Sequence, residues 1–315
     1  MAIVGVEHTG PAANEVEARL WILSADGAPV AEHAVGDPNL PGPAWDVRVL
    51  DDHSVLVLLD EPVAQGAASR AVARLYQVVA DWATAPASPW SFQQTDNEAP
   101  AQSIEARALY EVDADQGVFG LVGSFLLSGQ SIKHLIANFS LTTLPEDVPP
   151  QITHSETGDA GPITVQASDA IYWPEAPGGA AFITLGSAIY DGDQWSQTNV
   201  LNSTSKLIGA FQSPDEHNRT AVRLGDQLLV LAQHESQGSR VRLLSLADVT
   251  AAVVGFGADA GIDPLAMLEL GSITQGEALA CHGGEVCLVA GASGGSPAWD
   301  VFRVTPADDL EACGP

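Results

Sequence analysis

The chain has 315 residues, and its 40 Asp and Glu against 12 Lys and Arg give a formal net charge of −28 at pH 7. A surface of this sign repels phosphate backbones and anionic membranes, which argues against direct nucleic-acid binding. No run of about 18 apolar residues occurs, so the sequence predicts no membrane span. With 46% hydrophobic residues, 30 Gly and 20 Pro, the composition favours many short strands joined by turns.

The acidic excess has three interpretations, of which solubility in high salt is the simplest. The others are binding of cations such as Ca²⁺ and attraction to a cationic partner. The N-terminal segment, residues 1–20, has neither the basic region nor the apolar run of a signal peptide. Either the protein is cytoplasmic or its leader is not part of this sequence. Because cysteines that can pair are present, we expect the second, an extracytoplasmic protein that is periplasmic or secreted.

Predicted strands begin near the N-terminus, where residues 19–26 have the pattern of the closing strand of an incomplete unit. A strand pair at 47–59 is followed by a closing strand at 73–81. Residues 68–83 also have apolar positions at helical spacing, but their alignment with later segments favours a strand over their second half.

Further strand pairs are predicted along the rest of the chain, at 117–123 with 132–141 and at 170–173 with 180–190. Residues 247–256 are ambiguous, and a short helix between units is plausible there. Pro-rich stretches at 37–44, 85–100 and 144–161 mark connections, and the last is the best candidate for an internal boundary. Strand-like segments continue on both sides of it, which favours a single domain over 1–315.

Two late segments repeat each other. Residues 221–232 align with 279–290, each with a turn at Gly225 or Gly283, and each is followed by a strand that closes on Ala-Asp, at 241–248 and 301–308. The offset between the copies is 58 to 60 residues. A unit of this size is a small antiparallel sheet whose two faces must both be covered, and stacking of successive units covers them.

This pattern resembles bacterial secreted β-propeller repeats, and Asp26-Gly27 and residues 281–291 carry the resemblance best. The resemblance implies an all-β fold, a β-propeller of about six blades whose N- and C-terminal strands can share one blade. Five or seven blades, or another all-β repeat architecture, are the alternatives. Such propellers include both binding scaffolds and enzymes, so no activity transfers with the fold.

Cys281 and Cys287 bracket a Gly-Gly turn, and a hairpin there would place them side by side for a disulfide. Two reduced, buried thiols are the alternative. A zinc site with His282 is a third interpretation, but it lacks the usual cysteine spacing and a fourth ligand. Cys313, near the end of the chain, can be a free thiol.

Acidic pairs in predicted turns are the candidate metal site. Asp113 and Asp115 lie two residues apart near Gly117, as do Asp191 and Asp193 around a glycine, and alternating carboxylates in a turn can bind Ca²⁺. The distal Glu of an EF-hand loop is absent, and tight turns alone would also explain the pattern. No other cofactor is predicted.

Motifs of nucleophilic, zinc-peptidase, phosphate-loop or dinucleotide sites are absent from the sequence. Paired carboxylates could hydrolyse glycosides, with Asp46, Asp113, Asp191 and Asp300 as candidates. Asp46 and Asp300 each follow a tryptophan, Trp45 and Trp299, for which we favour a packing role over a sugar platform.

The sequence therefore predicts an extracytoplasmic binding or assembly module without catalytic activity, which engages a protein or glycan partner, including a cationic one. A carbohydrate-active hydrolase with carboxylates in the propeller channel is the alternative, as is a structural subunit of a larger assembly.

Overall fold

A computed structural model describes the backbone of residues 2–8, 16–24, 28–36, 42–50, 54–62, 69–77, 90–91, 101–113, 115–127, 132–140, 152–155, 164–173, 181–190, 193–202, 207–212, 216–234, 238–255, 262–282, 284–294, 296–305 and 309–312. This part of the chain contains 23 strands and one helix, which confirms the predicted all-β class. The chain divides into two compact units, Met1–His154 and Ser155–Pro315. The division falls inside the Pro-rich segment 144–161 that the sequence indicates. That the whole chain forms a single domain stays a prediction.

The first unit holds a three-stranded sheet followed by two four-stranded sheets. Their strands are β1 (Ala2–His8), β2 (Val16–Leu23), β3 (Pro29–Val35), β4 (Ala44–Val49), β5 (Ser54–Pro62), β6 (Ser69–Gln77), β7 (Trp90–Ser91), β8 (Ala101–Asp113), β9 (Val118–Leu127), β10 (Ile132–Ser140) and β11 (Ile152–Ser155), the last of which ends at the first residue of the second unit.

The second unit holds three four-stranded sheets and the helix. Its elements are β12 (Thr164–Trp173), β13 (Ala181–Tyr190), β14 (Asp193–Asn202), β15 (Leu207–Gln212), β16 (Glu216–Leu224), β17 (Gln227–His234), β18 (Gly238–Ser245), α1 (Leu246–Gly255), β19 (Ala266–Glu269), β20 (Gln275–His282), β21 (Val286–Ser293), β22 (Ser296–Val304) and β23 (Leu310–Ala312).

Every sheet is a meander in which each strand pairs with the next strand along the chain. Three of the hairpins between a first and a second strand turn at a glycine with positive φ, Gly117 at 62°, Gly225 at 63° and Gly284 at 73°. Such values are costly for residues with a Cβ, which explains a glycine at each of these three turns. The sequence alignment pairs Gly225 with Gly283, which lies outside the described residues, whereas the glycine with positive φ is Gly284. The N-terminal strands β1–β3 form one sheet and the C-terminal strands β20–β23 form another.

The second strand of a sheet is apolar at consecutive positions because neighbouring sheets cover both of its faces. On β17, Leu228 and Val230 pack in a cluster with Ile183 and Leu185 of the preceding sheet. The alternate residue Leu229 packs in a cluster with side chains of the following sheet. In the first unit, the five apolar residues 55–59 of β5 are each at most 1% exposed. Successive sheets of a unit therefore stack face to face, as in repeat architectures.

Two segments whose sequence pattern is ambiguous between helix and strand are resolved in the structure, the first of them in part. Residues 69–77 form β6, so the part of 68–83 that the structure describes is a strand and not a helix, while residues 78–83 lie outside the described residues. The expected short helix is α1.

Most of residues 19–26 lies in β2, the last but one strand of its sheet, as do the other predicted closing strands in β6, β18 and β22. The N-terminal sheet has three strands where the others have four, as expected for an incomplete unit. What the sequence did not show is the further strand that follows each of these segments, β3, β7, β19 and β23.

Candidate functional site at the bulges of the first strands

The first strand of every four-stranded sheet has a β-bulge at an equivalent position. The ladder register shifts by one residue between Ala44 and Asp46 of β4, between Ala106 and Ala108 of β8, and at matching positions of the other three sheets. The extra residues, which we call the bulge residues, are Trp45, Arg107, Ser168, Arg219 and Glu277. Because a bulge leaves its extra residue outside the ladder and changes the direction of its side chain, bulges are frequent beside functional sites.

In the first unit, the residue after a bulge connects neighbouring sheets. The Asp46 carboxylate accepts a hydrogen bond from the Val47 N–H at 2.7 Å through Oδ1 and from the Leu109 N–H of β8 at 2.8 Å through Oδ2. Arg48 Nε donates to the Leu109 carbonyl at 3.2 Å, and Arg48 Nη2 lies 3.3 Å from Asp46 Oδ2. Since β8 is the edge strand of its sheet, Asp46 and Arg48 satisfy backbone groups of Leu109 that no strand pairs.

The second unit repeats this arrangement with a different polar set. Asp169, which is 2% exposed, accepts from the Ala170 N–H at 2.7 Å and from the Ala221 N–H of β16 at 2.9 Å. It also accepts from the Thr220 hydroxyl at 2.5 Å, and the Ser168 hydroxyl donates to the Arg219 carbonyl at 2.7 Å. The edge strand β16 is thus held by side chains of β12 as β8 is held by side chains of β4.

The edge strand β20 is held instead by Ser239, which lies on β18, the third strand of the preceding sheet. Ser239 Oγ of β18 accepts from the Gly276 N–H at 2.6 Å and donates to Gln233 Oε1 at 2.8 Å. Gln233 Nε2 in turn donates to the Thr274 carbonyl at 3.2 Å. Each of these three connections orders the first strand of one sheet against the preceding sheet, and so fixes the backbone that carries the bulge residue.

Two bulge residues of the first unit contact each other. Arg107 stacks over the indole of Trp45, with its Cζ 3.8 Å from the ring centroid, which is cation–π geometry. Trp45 nevertheless remains 37% exposed. The exposed indole thus offers an apolar face beside a stacked guanidinium, on a backbone fixed by Asp46 and Arg48. We call Trp45 and Arg107 the Trp–Arg platform.

Two bulge residues of the second unit, Arg219 and Glu277, differ from each other in exposure. Glu277 is exposed, whereas Arg219 is half-buried and its buried Nε has no hydrogen-bond partner within the described structure. One residue before that bulge, the buried Asn218 accepts from Arg242 Nη2 at 2.8 Å. Burial and the neighbouring Arg240 lower the pKa of Arg242 to about 10, so it stays protonated at neutral pH.

A buried tyrosine lies beside the connection in the first unit. Tyr110 follows Leu109 on β8 and lies directly opposite Gly120 of β9, whose missing side chain leaves room for the phenol ring. Its burial raises the pKa of the Tyr110 hydroxyl above the ordinary value. Tyr110 is therefore a neutral core residue at all physiological pH values.

The predicted calcium residues fall in two turns, of which the structure describes only part. Asp113 is exposed, and its Oδ1 accepts from the Gln116 N–H at 3.1 Å, as in a turn that an aspartate caps. Asp115 is exposed in the same turn, Asp193 is the first residue of β14, and Asp191 lies outside the described residues. The described residues contain no group of three or more His, Cys, Asp and Glu side chains that could hold a metal ion. Calcium binding stays a prediction.

The cysteine pair has the predicted geometry. Cys281 of β20 lies directly opposite Cys287 of β21, and the two are joined by a disulfide. The reduced-thiol and zinc interpretations with His282 are therefore wrong, because both sulfurs are used in the covalent bond. Cys313 lies outside the described residues.

The candidate hydrolase residues have different surroundings. Asp46 is occupied by the backbone hydrogen bonds given above, and Asp300 accepts a hydrogen bond from the Ser272 hydroxyl. Asp113 caps its turn and Asp191 is not described. Trp299 is half-buried, unlike the exposed Trp45.

Sequence reasoning missed Arg107, Ser168, Arg219 and Glu277 as members of one structural set. A signal was present in two copies, Ala44-Trp45-Asp46 and Ala167-Ser168-Asp169, which share a small residue, a variable residue and an aspartate. The bulges of β8, β16 and β20 have no aspartate at this position, so their residue types alone do not align them with the other two.

Comparisons with known proteins assign no family to the chain. No protein-family model and no curated protein sequence matches it. Among solved structures, it is similar to an exo-β-1,3-galactanase from Phanerochaete chrysosporium, with 9% identity and a TM-score of 0.46 over 97% of this chain and 65% of that one. A putative 6-phosphogluconolactonase from Bacteroides uniformis gives 9% and 0.45 over 99% and 81%. A GH32 β-fructofuranosidase from Bombyx mori gives 7% and 0.42 over 84% and 62%.

The chain thus spans just under two thirds of the galactanase and of the fructofuranosidase. With TM-scores below 0.5 and identities below 10%, these similarities carry no functional assignment. Within the part of the chain that the structure describes, no helix is long and apolar enough to cross a membrane.

Proposed function

We propose that this chain is a β-propeller of about six blades that acts as an extracytoplasmic binding module, and that the Trp–Arg platform is its ligand contact. The observation that carries the proposal is the exposed indole of Trp45, with the guanidinium of Arg107 stacked 3.8 Å from its centroid. Tryptophan and arginine are the side chains that most often supply binding energy at protein surfaces.

The rigidity of the surrounding backbone supports a binding role. An aromatic side chain binds a ligand more tightly when little conformational entropy is lost on association. This requires a supporting shell of residues that holds the side chain's backbone in place. The hydrogen bonds of Asp46 and Arg48 to Leu109 supply that shell, because they fix β4 against β8 at the point where the two bulge residues meet. The platform is thus preorganised before a ligand arrives.

A glycan is the partner class that this surface fits best. The C–H face of a sugar ring stacks on an indole, and guanidinium N–H groups donate to the ring substituents. The disulfide between Cys281 and Cys287 agrees with an oxidising, extracytoplasmic setting, where glycans are abundant.

The proposal is tested by a panel of polysaccharides in affinity electrophoresis, with the full chain and its Trp45→Ala variant. We expect retardation by at least one glycan, and loss of that retardation in the variant. Val49→Ala, which removes another exposed apolar side chain of β4, is the matched control and should bind normally. Equal retardation of the wild type and Trp45→Ala would contradict the proposed site.

The same samples distinguish binding from the alternative of hydrolysis. If a bound glycan released reducing ends over time, and release disappeared with Asp300→Asn or Asp113→Asn, the hydrolase interpretation would replace the binding one. A crystal structure with the six sheets around one axis would establish the propeller, and any other arrangement would refute it.

A further inference from the structure

An arginine and a glutamate occupy the bulges of two neighbouring first strands in the second unit, Arg219 on β16 and Glu277 on β20. We propose that these two side chains form a second ligand site, which binds a small zwitterion such as an amino acid. Arg219 receives the carboxylate of the ligand, and Glu277 receives its ammonium group. The Trp–Arg platform belongs to the first unit, so this inference stands independently of the proposed function.

The repeat indicates that the Arg219 and Glu277 side chains lie next to each other. Bulge residues of consecutive sheets are in contact in two other cases, since Arg107 stacks on Trp45 and the Ser168 hydroxyl donates to the Arg219 carbonyl. Arg219 and Glu277 are related in the same way, and β16 contacts β20. Because a bulge directs its extra side chain out of the ladder, the two charged ends can reach one ligand.

The backbone on both sides of this site is fixed by hydrogen bonds. Asp169 accepts from the Ala221 N–H at 2.9 Å and thereby holds β16 beside its bulge. Ser239 Oγ accepts from the Gly276 N–H at 2.6 Å, and Gly276 directly precedes Glu277. Both strands are therefore in place before a ligand arrives, and mainly the two charged side chains lose conformational freedom on binding.

The Arg219 guanidinium has an unused donor that a carboxylate can satisfy. Its Nε is buried and has no hydrogen-bond acceptor within the described structure, an arrangement that costs free energy. A carboxylate accepts two parallel N–H groups of an arginine, and such charge-assisted pairs are about twice as strong as neutral hydrogen bonds. Since Arg219 is only half-buried, a rotation of its side chain can bring Nε and one Nη atom to a ligand.

Glu277 supplies the opposite charge, and it is exposed. In the part of the chain that the structure describes, ion pairs with carboxylates are formed by Arg19, Arg48 and Arg240, and Arg219 and Glu277 are not joined in this way. A ligand with an ammonium group offers Glu277 three N–H donors.

The net charge of the chain selects between a simple anion and a zwitterion. At −28, the field of the whole molecule repels a ligand with a net negative charge, even where one arginine attracts it. A zwitterion has no net charge and is not repelled. Its carboxylate and ammonium groups also use both Arg219 and Glu277, whereas an anion would use only the first.

The experiment measures binding of small zwitterions to the full chain by calorimetry. The probes are the α-amino acids, β-alanine and γ-aminobutyrate, with acetate and methylammonium as probes that carry only one of the two charges. We expect at least one zwitterion to bind, and acetate and methylammonium to bind at least about tenfold more weakly. Arg219→Gln and Glu277→Gln should each weaken binding of the zwitterion by about tenfold or more.

Arg303→Gln and Glu311→Gln are the matched controls, because they make the same changes of charge at exposed residues that lie directly opposite each other on β22 and β23. Both should bind the zwitterion as the wild type does. Circular dichroism and the Tm of each variant establish that it is folded. Glu277 is exposed, so Glu277→Gln tests the site even where Arg219→Gln is too unstable to be used.

The outcomes decide the proposal without reference to glycans. If acetate binds as tightly as the zwitterions and Glu277→Gln has no effect, the zwitterion inference is overturned. It is also overturned if no probe binds at millimolar concentration, or if a zwitterion binds equally well to the wild type and to both site variants. Each of these results leaves the proposed function at Trp45 standing, and failure of glycan binding leaves this site standing.

Discussion

Asp46 and Asp169 make the same two backbone hydrogen bonds, each to the N–H of its own next residue and each to an N–H of the following sheet. The distances to the next residue are 2.7 Å in both cases, and those to Leu109 and Ala221 are 2.8 and 2.9 Å. In each case the distant N–H belongs to the second residue after a bulge residue. The two aspartates are thus equivalent, and their role is to join the first strands of consecutive sheets.

The first prediction concerns removal of the buried member of this pair. Asp169→Ala would leave the Ala221 N–H and the Thr220 hydroxyl without their acceptor in a buried position. We expect the free energy of unfolding to fall by about 3 kcal/mol, measured by urea denaturation. Asp263→Ala removes an exposed aspartate and should change the free energy of unfolding by less than about 0.5 kcal/mol. Similar values for the two variants would refute the connecting role.

The second prediction concerns the contact between Gly120 and Tyr110. A Cβ at Gly120 would overlap the phenol ring of Tyr110, which lies directly across the ladder. Gly120→Ala should therefore lower the stability by about 3 kcal/mol, because the ring must move within a packed core. Gly271→Ala adds a Cβ with no neighbour within 4 Å and provides the control. Urea midpoints that shift equally in the two variants would show that the ring can move at no cost.

The third prediction concerns alkaline pH. Burial raises the pKa of Tyr110 above its ordinary value near 10, so the unfolded chain loses this proton at a lower pH than the folded chain does. The folded state then binds more protons above pH 10, and its stability falls as the pH rises, by up to about 1.4 kcal/mol per pH unit. Urea unfolding between pH 8 and 11 should show a shallower fall for Tyr110→Phe than for the wild type.

Two controls apply to this titration. The lowered pKa of Arg242, about 10, changes stability in the opposite direction, but it is common to both proteins and cancels from their difference. Tyr172→Phe, at a half-buried tyrosine, tests whether loss of any phenol has the same effect. Parallel pH profiles for the wild type and Tyr110→Phe would contradict the assignment.

The fourth prediction concerns the disulfide. Replacing Cys281 and Cys287 together by alanine removes a cross-link that closes a short loop, so the free energy of unfolding should fall by about 2 kcal/mol. In the wild type unfolded without reductant, thiol titration should find one free cysteine per chain, Cys313. Three free thiols would show that the pair is reduced.

The sequence predicted more of the fold than of the candidate site. The alignment of residues 221–232 with 279–290 revealed the repeated hairpin, because glycine turns and consecutive apolar residues follow from backbone geometry and two-sided burial. The last strand of each sheet was not predicted, since β7, β19 and β23 are only two to four residues long and carry little pattern.

The platform was hidden for a different reason. A bulge is a property of the pairing register, and the register between β8 and β9 is not encoded in the letters around Arg107. Asp46 looked like a catalytic carboxylate, but its partner Leu109 lies 63 residues away and offers only its backbone. Every residue except proline has a backbone N–H group, so a hydrogen bond to that group is not visible in the residue types of the sequence.

The bulges have a consequence for how such a protein can change over time. A residue outside the ladder can be replaced without altering any strand pair, and the five positions indeed hold an indole, two guanidiniums, a hydroxyl and a carboxylate on the same backbone plan. Ser168 is the exception, because its hydroxyl also holds β16 through the Arg219 carbonyl. At the other positions, single substitutions could change the exposed chemistry of the surface, with Asp46, Asp169 and Ser239 left to preserve the architecture.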